Sequence, residues 1–303
     1  MADSRQVVRQ WLETDAAFGV AEVPLRRGGG VEVSGAAGAT SGSPVVPAAR
    51  ATNASVPVRQ PVPGVSPTGS RPTMSQPRKT STSLPPIPPG RIADLSPITR
   101  DEQVAALAEL QSAAEASLKQ YFTDISTRVV FGEGAPDAPV MFVGEGPGIE
   151  EDRTGRPFVG RAGQLLDKQI AAMGYQRSQV FIANIVKLRA ASFDEVESRV
   201  KDRPPTPEEV SRQIWILHEQ IATIRPTVII TLGAPAVKWL MGISDGIGKV
   251  RGTWLDYRGI PLMPTFHPAF LLRQYSESNR RAVWDDLQKA MEKLGKKATA
   301  KYH

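Results

Sequence analysis

Four short, nearly continuous apolar runs, "APVMFVGE", "QVFIANIVK", "TVIITLG" and "PLMPTFHP", recur between residues 138 and 268 with helical segments between them. A run of this length is what a strand covered on both faces looks like, and strands that alternate with helices are joined in parallel. The expected fold is therefore α/β: a three-layer α/β/α sandwich with a central, mostly parallel four-stranded sheet. The intervening segments carry helix punctuation. "RAGQLLDKQIAAMG" is stopped by Gly174, and "TPEEVSRQIWILHEQIATI" has Pro207 in its first turn and Pro226 beyond its end. "APAVKWLM" and "ESNRRAVWDDLQKAMEKL" complete the alternation, and "SPITRDEQVAALAELQSAAEASLKQYF" precedes it, with Asp101 and Glu102 where a helix dipole favours negative charge.

The alternation fills residues 96–303, which are read as one catalytic domain. Residues 21–95 are different: they hold 13 of the 26 prolines and no aromatic residue. Such a stretch cannot bury enough apolar surface to offset its backbone entropy, so it is expected to be a disordered linker, with an excess of basic residues that could also hold it near a polyanion. Within residues 1–20, "SRQVVRQWLETDAAFGV" places Val7, Val8, Trp11 and Leu12 on one helical stripe. This short amphipathic helix reads either as a docking motif, at residues 4–20, for another protein or as a helix that folds back on the domain.

Charge says less than the total suggests. Of the net +6, residues 1–95 carry +4 (10 basic, 6 acidic), which leaves +2 for the domain (27 basic, 25 acidic). Any basic face must come from clustering rather than from composition. The chain has no cysteine, which removes thiolate ligands, disulfides and cysteine nucleophiles, and its three histidines make a histidine metal site improbable. With no apolar run of membrane-spanning length and no signal-peptide pattern, the expected setting is cytoplasmic.

In a parallel α/β sheet, ligands gather at the carboxyl ends of the strands. Three of those ends carry chemistry here. The first is Gly144-Glu145-Gly146-Pro147-Gly148, followed by Glu150, Glu151 and Asp152. No lysine and hydroxyl residue follow as in a phosphate loop, and the acidic residues would repel phosphate, so a carboxylate set among backbone amides fits better. The second is Asn184, which ties two loops together or reads a ring edge with one donor and one acceptor. The third is "TFHPAFLLR", where His267 stands at a strand end and Phe270, Leu271 and Leu272 give the following loop an apolar character suited to a wedge in a base stack.

"VVFGEGAPDAPVMFVGEGPGIEEDRTGRPFVGRAGQLLD", "FIANIVKLR", "PTPEEV", "IRPTVIITLGAPAVKWLMG" and "MPTFHPAFLLR", in this order, resemble the family four uracil-DNA glycosylases of bacteria and archaea over residues 126–294. The resemblance implies an enzyme that flips deoxyuridine out of DNA and hydrolyses its N-glycosidic bond to start base-excision repair. The alternative is an inactive DNA-binding or scaffold member of the superfamily. It further implies that Phe158 stacks on uracil and Asn184 reads its O4 and N3–H edge. Glu145 would orient the attacking water, and His267 would donate a hydrogen bond to O2 of the leaving base. Gly146, Pro147 and Gly148 would bring backbone close to the base, with Glu151 shaping the pocket near C5. Arg161, Leu271 and Arg273 are the corresponding DNA contacts, Leu271 and Arg273 filling the space the base vacates. The implied partners are uracil-containing DNA and a repair or replication protein at residues 4–20, with a monomer acting at the nucleoid.

One departure stands out. Members of that family hold a four-iron, four-sulfur cluster on cysteines, and the matching positions here fall at about Ser117, Gln120, Leu188 and Gln213, with a longer insertion, Ala190 to Pro204, before the last. The expected cofactor is therefore none, with apolar packing of Phe122, Leu188 and Trp215 in the cluster's place.

Overall fold

The computed structural model describes residues 97–296; the expected linker and N-terminal helix lie outside the described residues. The described part runs α1 (Arg100–Leu118), β1 (Glu133–Gly134), β2 (Val140–Gly144), α2 (Ile149–Thr154), α3 (Arg161–Ala172), β3 (Phe181–Asn184), β4 (Ala191–Asp194), β5 (Arg199–Asp202) and α4 (Pro207–Ile224). It continues β6 (Val228–Leu232), α5 (Ala234–Met241), α6 (Ile247–Val250), β7 (Leu255–Tyr257), β8 (Ile260–Thr265), α7 (Pro268–Arg273) and α8 (Glu277–Lys293).

The main sheet has the order β1-β3-β2-β6-β8-β7. Its four inner strands are parallel, and the short outer strands β1 and β7 pair antiparallel to β3 and β8. The expected four-stranded sheet is thus the parallel centre of a six-stranded one. The added edges are two and three residues long, too short to show a period in the sequence. A separate antiparallel hairpin, β4–β5, projects from the segment after β3.

Successive strand residues point to opposite faces, and here both faces are covered. Phe142, Ile230 and Met263 pack with Leu166 and Ile170 of α3 and Trp284 and Leu287 of α8. Met141, Ile229 and Leu262 pack on the other side with Ile214, Leu217 and Ile221 of α4 and Leu240 of α5. Burying each such side chain contributes about 1.5–3 kcal/mol, which explains why the strands read as unbroken apolar runs. Helix α4 starts at a reciprocal cap in which Thr206 and Glu209 bond each other's backbone amide, and it ends at Arg225 in a left-handed conformation before Pro226. Helix α1 opens the same way at Thr99 and Glu102 and is tied to the end of α4 by Gln103, whose amide donates to the Thr223 and Ile224 carbonyls.

This topology delivers four chain segments to one edge of the sheet: Gly144-Glu145 from β2, Asn184 from β3, Gly233 from β6 and Phe266-His267 from β8.

Candidate active site

A cavity of about 370 Å³ opens at that edge, lined among others by Glu145, Pro147, Gly233, His267 and Arg273. Behind its mouth, Asn184 is 1% exposed and its side-chain Oδ1 has no hydrogen-bond partner. A buried, unpaired amide oxygen is costly unless something polar completes it. Gly144 is its neighbour across the β2–β3 pairing. A Cβ on Gly144 would lie 2.4 Å from Asn184 Oδ1 and 2.5 Å from Cζ of Phe158, so only glycine leaves the amide and the ring side by side. The Phe158 ring also stacks on the His267 ring, with centroids 5.6 Å apart and planes at 29°. One flat side chain, one amide edge and one imidazole therefore converge where β2, β3 and β8 end.

Each is held from behind. Phe158 has φ +49°, a conformation that costs a non-glycine residue of order 1 kcal/mol or more and persists only when its surroundings impose it. The imposing group is Glu151. One of its carboxylate oxygens accepts from the amides of Val159 and Gly160 at 2.9 and 3.0 Å, and the other accepts from Gly148 N at 3.1 Å. From the other side Gly163, in the first turn of α3, presses on the Phe158 backbone so closely that a Cβ there would sit 1.8 Å from its carbonyl oxygen. Glu151 thus spends its acceptors on bracing the aromatic loop against the Gly148 turn.

Asn184 is anchored through its main chain. Its carbonyl accepts from Lys187 Nζ at 2.8 Å, and the same Nζ donates to Gln220 Oε1 at 2.8 Å. Lys187 is fully buried, and burial lowers its pKa to about 7. A neutral amine has two N–H donors for these two acceptors, so deprotonation leaves both bonds intact. In the sequence Lys187 reads as the polar end of a strand; a charge-bearing residue directly after the apolar Ile185-Val186 pair is the signal of its role.

His267 caps α7: its Nδ1 accepts from the amide of Ala269 at 3.0 Å. The ring proton then belongs on Nε2. Burial, together with the nearby positive charge of Arg273, lowers the His267 pKa to about 4, so the imidazole is neutral at pH 7 and can donate. Glu145 is half-buried, and burial raises its pKa above the ordinary 4.5. Its backbone is fixed because Val186 N bonds the Glu145 carbonyl just past the end of the β2–β3 pairing.

The three expected DNA contacts are not placed alike. Arg161 and Arg273 are exposed, Arg273 at the cavity mouth. Leu271 is 2% exposed and belongs to the core shared by α3 and α8, so it cannot act as a wedge from this position. The apolar character of that loop reaches the cavity through Phe266 and Phe270 instead. Phe270, Leu271 and Leu272 all fit the helical turn of "PAFLLR"; which of them faces inward depends on α3, far away in the chain.

The positions matched to the cluster cysteines do not fit a cluster. Ser117 Oγ donates to the Ala114 carbonyl and Gln120 to the Ser117 carbonyl. Leu188 is buried apolar surface. Gln213 Oε1 accepts from the amides of Lys187 and Leu188 at 2.8 and 2.9 Å, and its Nε2 donates to the Glu209 carbonyl. An amide thus joins the segment after β3 to α4. Around it Leu188 packs with Ala114, Leu118, Phe131 and Ile216, with Trp215 against them, whereas Phe122 is 38% exposed and takes no part in that cluster. A cavity of about 520 Å³ opens beside Gln213, larger than the first, but neither Glu145, Asn184 nor His267 lines it. Among the described residues no cluster of acidic or histidine side chains could hold a metal ion, and no helix is long and apolar enough to cross a membrane.

Residues 131–288 match the family model of the uracil DNA glycosylase superfamily. The chain is similar to a type-4 uracil-DNA glycosylase of Thermotoga maritima, 46% identical over 166 residues that cover 54% of this chain and 82% of that protein. It is also similar to type-4 uracil-DNA glycosylases of Sulfurisphaera tokodaii (40% identical, 55% and 74% covered) and Archaeoglobus fulgidus (35%, 56% and 84%). The strand-end edge with Glu145, Asn184 and His267 lies within the matched segment, and the chain belongs to the uracil DNA glycosylase superfamily.

Proposed function

We propose that this protein is a uracil-DNA glycosylase that hydrolyses the N-glycosidic bond of a flipped-out deoxyuridine, releasing uracil and leaving an abasic site for base-excision repair. The observation that carries this reading is the unpaired, buried Oδ1 of Asn184 beside the Phe158 ring. Uracil presents a donor at N3 and an acceptor at O4, which an amide completes with its Oδ1 and Nδ2; cytosine presents the opposite order. Phe158 would stack on the ring. As the glycosidic bond breaks, negative charge grows on the base, and the Nε2–H of neutral His267 would donate to O2. Glu145 would hold the water that attacks C1′ and offset the positive charge on the sugar. Gly146, Pro147 and Gly148 would line the approach to the base, with Arg161 and Arg273 on DNA phosphates.

The test is single-turnover release of labelled uracil from a single-stranded oligonucleotide and from a U:G duplex, with a deoxycytidine oligonucleotide alongside. Release of uracil and not of cytosine is expected. Tight DNA binding with no release from either substrate would leave an inactive DNA-binding member of the superfamily.

We further propose that the protein acts without a metal cofactor, as a cytoplasmic monomer on nucleoid DNA, with residues 4–20 docking on a repair or replication protein. The donor set at Ser117, Gln120, Leu188 and Gln213 supports the first point, because its polar members are committed to backbone groups. The purified protein is expected to be colourless and to contain no iron; stoichiometric iron by elemental analysis would contradict this.

A further inference from the structure

We propose that the β4–β5 hairpin carries a base-stacking platform, formed by Phe193 and Val200, for the nucleotide next to the flipped deoxyuridine. The inference rests on the reading of the site as one that acts on DNA.

The hairpin stands at the mouth of the active-site cavity, where Ala190, Asp202 and Arg203 form part of the lining. Its base is rigidly tied down. Arg189, 7% exposed in its side chain, pairs with Asp202 at 2.7 Å, Arg203 pairs with Glu209 at 2.7 Å, and Arg203 N donates to the Ala190 carbonyl at 2.9 Å. The register sets Ala191 opposite Asp202 and Phe193 opposite Val200. Directly opposed residues share a face, and so do residues two apart along a strand. Ala191, Phe193, Val200 and Asp202 therefore occupy one face; Ala190 and Arg203 line the cavity from the other, and this face is oriented by the Asp202 carboxylate, which approaches Gly148 beside the cavity-lining Gly146 and Pro147. Phe193 and Val200 continue that wall outward by about 7 Å, two residues of strand rise.

The two side chains are 58% and 38% exposed and lie directly across from each other. A lone exposed apolar residue needs no explanation, but an aromatic and aliphatic pair on the cavity side of a tethered hairpin is a surface with an orientation. Ile149, 59% exposed, continues the same rim: it follows Gly148, from which a Cβ would lie 3.5 Å from Asp202 Oδ2.

Charge argues for a base rather than a phosphate as the occupant. From Arg189 to Arg203 there are four basic and four acidic residues, for a net charge of zero. The opposite face closes on itself, with Lys201 paired to Asp194 at 2.8 Å and to Glu197, and Arg199 paired to Glu197 at 2.6 Å. What the cavity-side face offers is a flat ring next to the place where a nucleotide leaves its stack. Bases flanking a flipped nucleotide lose a stacking partner, and an aromatic side chain restores one without regard to sequence.

The experiment compares wild type, Phe193→Ser and Val196→Ser, the last a control at the hairpin tip where Val196 is 95% exposed. The substrates are single-stranded and U:G oligonucleotides with 2-aminopurine placed on either side of the deoxyuridine, and single-turnover release is measured against protein concentration and salt. Phe193→Ser is expected to raise the half-saturating concentration for the single strand about tenfold, with the maximal rate and the salt slope unchanged. It should also abolish a stacking-dependent change in 2-aminopurine fluorescence on one side of the deoxyuridine, while Val196→Ser matches wild type. Because Phe193 is solvent-exposed, circular dichroism and Tm should be unaltered. Wild-type half-saturation and fluorescence in Phe193→Ser would overturn the platform, as would a weaker interaction that comes with a shallower salt dependence. If wild type binds but releases no uracil, the catalytic reading fails, and the fluorescence change with its loss in Phe193→Ser still decides the platform.

Discussion

Glu145→Gln is expected to slow single-turnover release of uracil by about 10²-fold or more and to remove the acid limb of its pH profile. In its proposed role the carboxylate holds the water and faces a positive sugar only when ionised, and burial raises its pKa above 4.5. The wild-type rate should therefore fall as pH drops through a value higher than that of an exposed glutamate. His267, whose pKa is lowered to about 4, is neutral between pH 5 and 8, so its donor hydrogen stays in place over that range. The variant keeps the side chain's shape and hydrogen-bonding reach while losing the charge. Its residual rate should thus be flat between pH 5 and 8. An acid limb that survives unchanged in Glu145→Gln would assign the titration to another group.

Asn184→Ala is expected to reduce kcat/KM for uracil release by about 10²-fold on single-stranded and U:G substrates alike, the effect of losing two hydrogen bonds to a buried ring edge. Its effect on stability should be small, which separates it from an ordinary core mutation. The Asn184 Oδ1 has no partner within the folded chain, so removing it leaves no group orphaned. Lys187 holds the main-chain carbonyl and keeps doing so in the variant. A urea midpoint close to that of wild type, together with the kinetic loss, is the expected combination. A large fall in stability would instead mean that the amide ties the strand ends together, the bland reading of a buried asparagine.

The parallel centre of the sheet and the residues at its strand ends were legible because both follow from local rules. Strands buried on two faces must be apolar throughout, and polar or charged residues then stand out at their ends. The placements of Leu271, Glu151 and Lys187 are not legible in the sequence because they depend on partners outside the local segment. Leu271 is buried by α3 and α8, Glu151 is recruited by the amides of Val159 and Gly160, and Lys187 finds Gln220 on α4. The hairpin was the opposite case. "ASFDEVESRVKD" alternates apolar and polar residues on its first arm but holds a single apolar residue, Val200, on its second, too little for a strand pair to show against an insertion of this length. The edge strands β1 and β7 carry too few residues for any period to appear.

The turn that carries His267 follows directly on Thr265, whose hydroxyl donates to Asp286 Oδ2 at 2.7 Å. Asp286 is wholly buried on α8 and is met from the other side by Arg251 at 2.7 Å, so three distant segments meet in one polar knot beneath the strand end. The place of the imidazole thus depends on the docking of α8, and loss of the Asp286 carboxylate would loosen the strand end that carries His267 although Asp286 does not line the cavity.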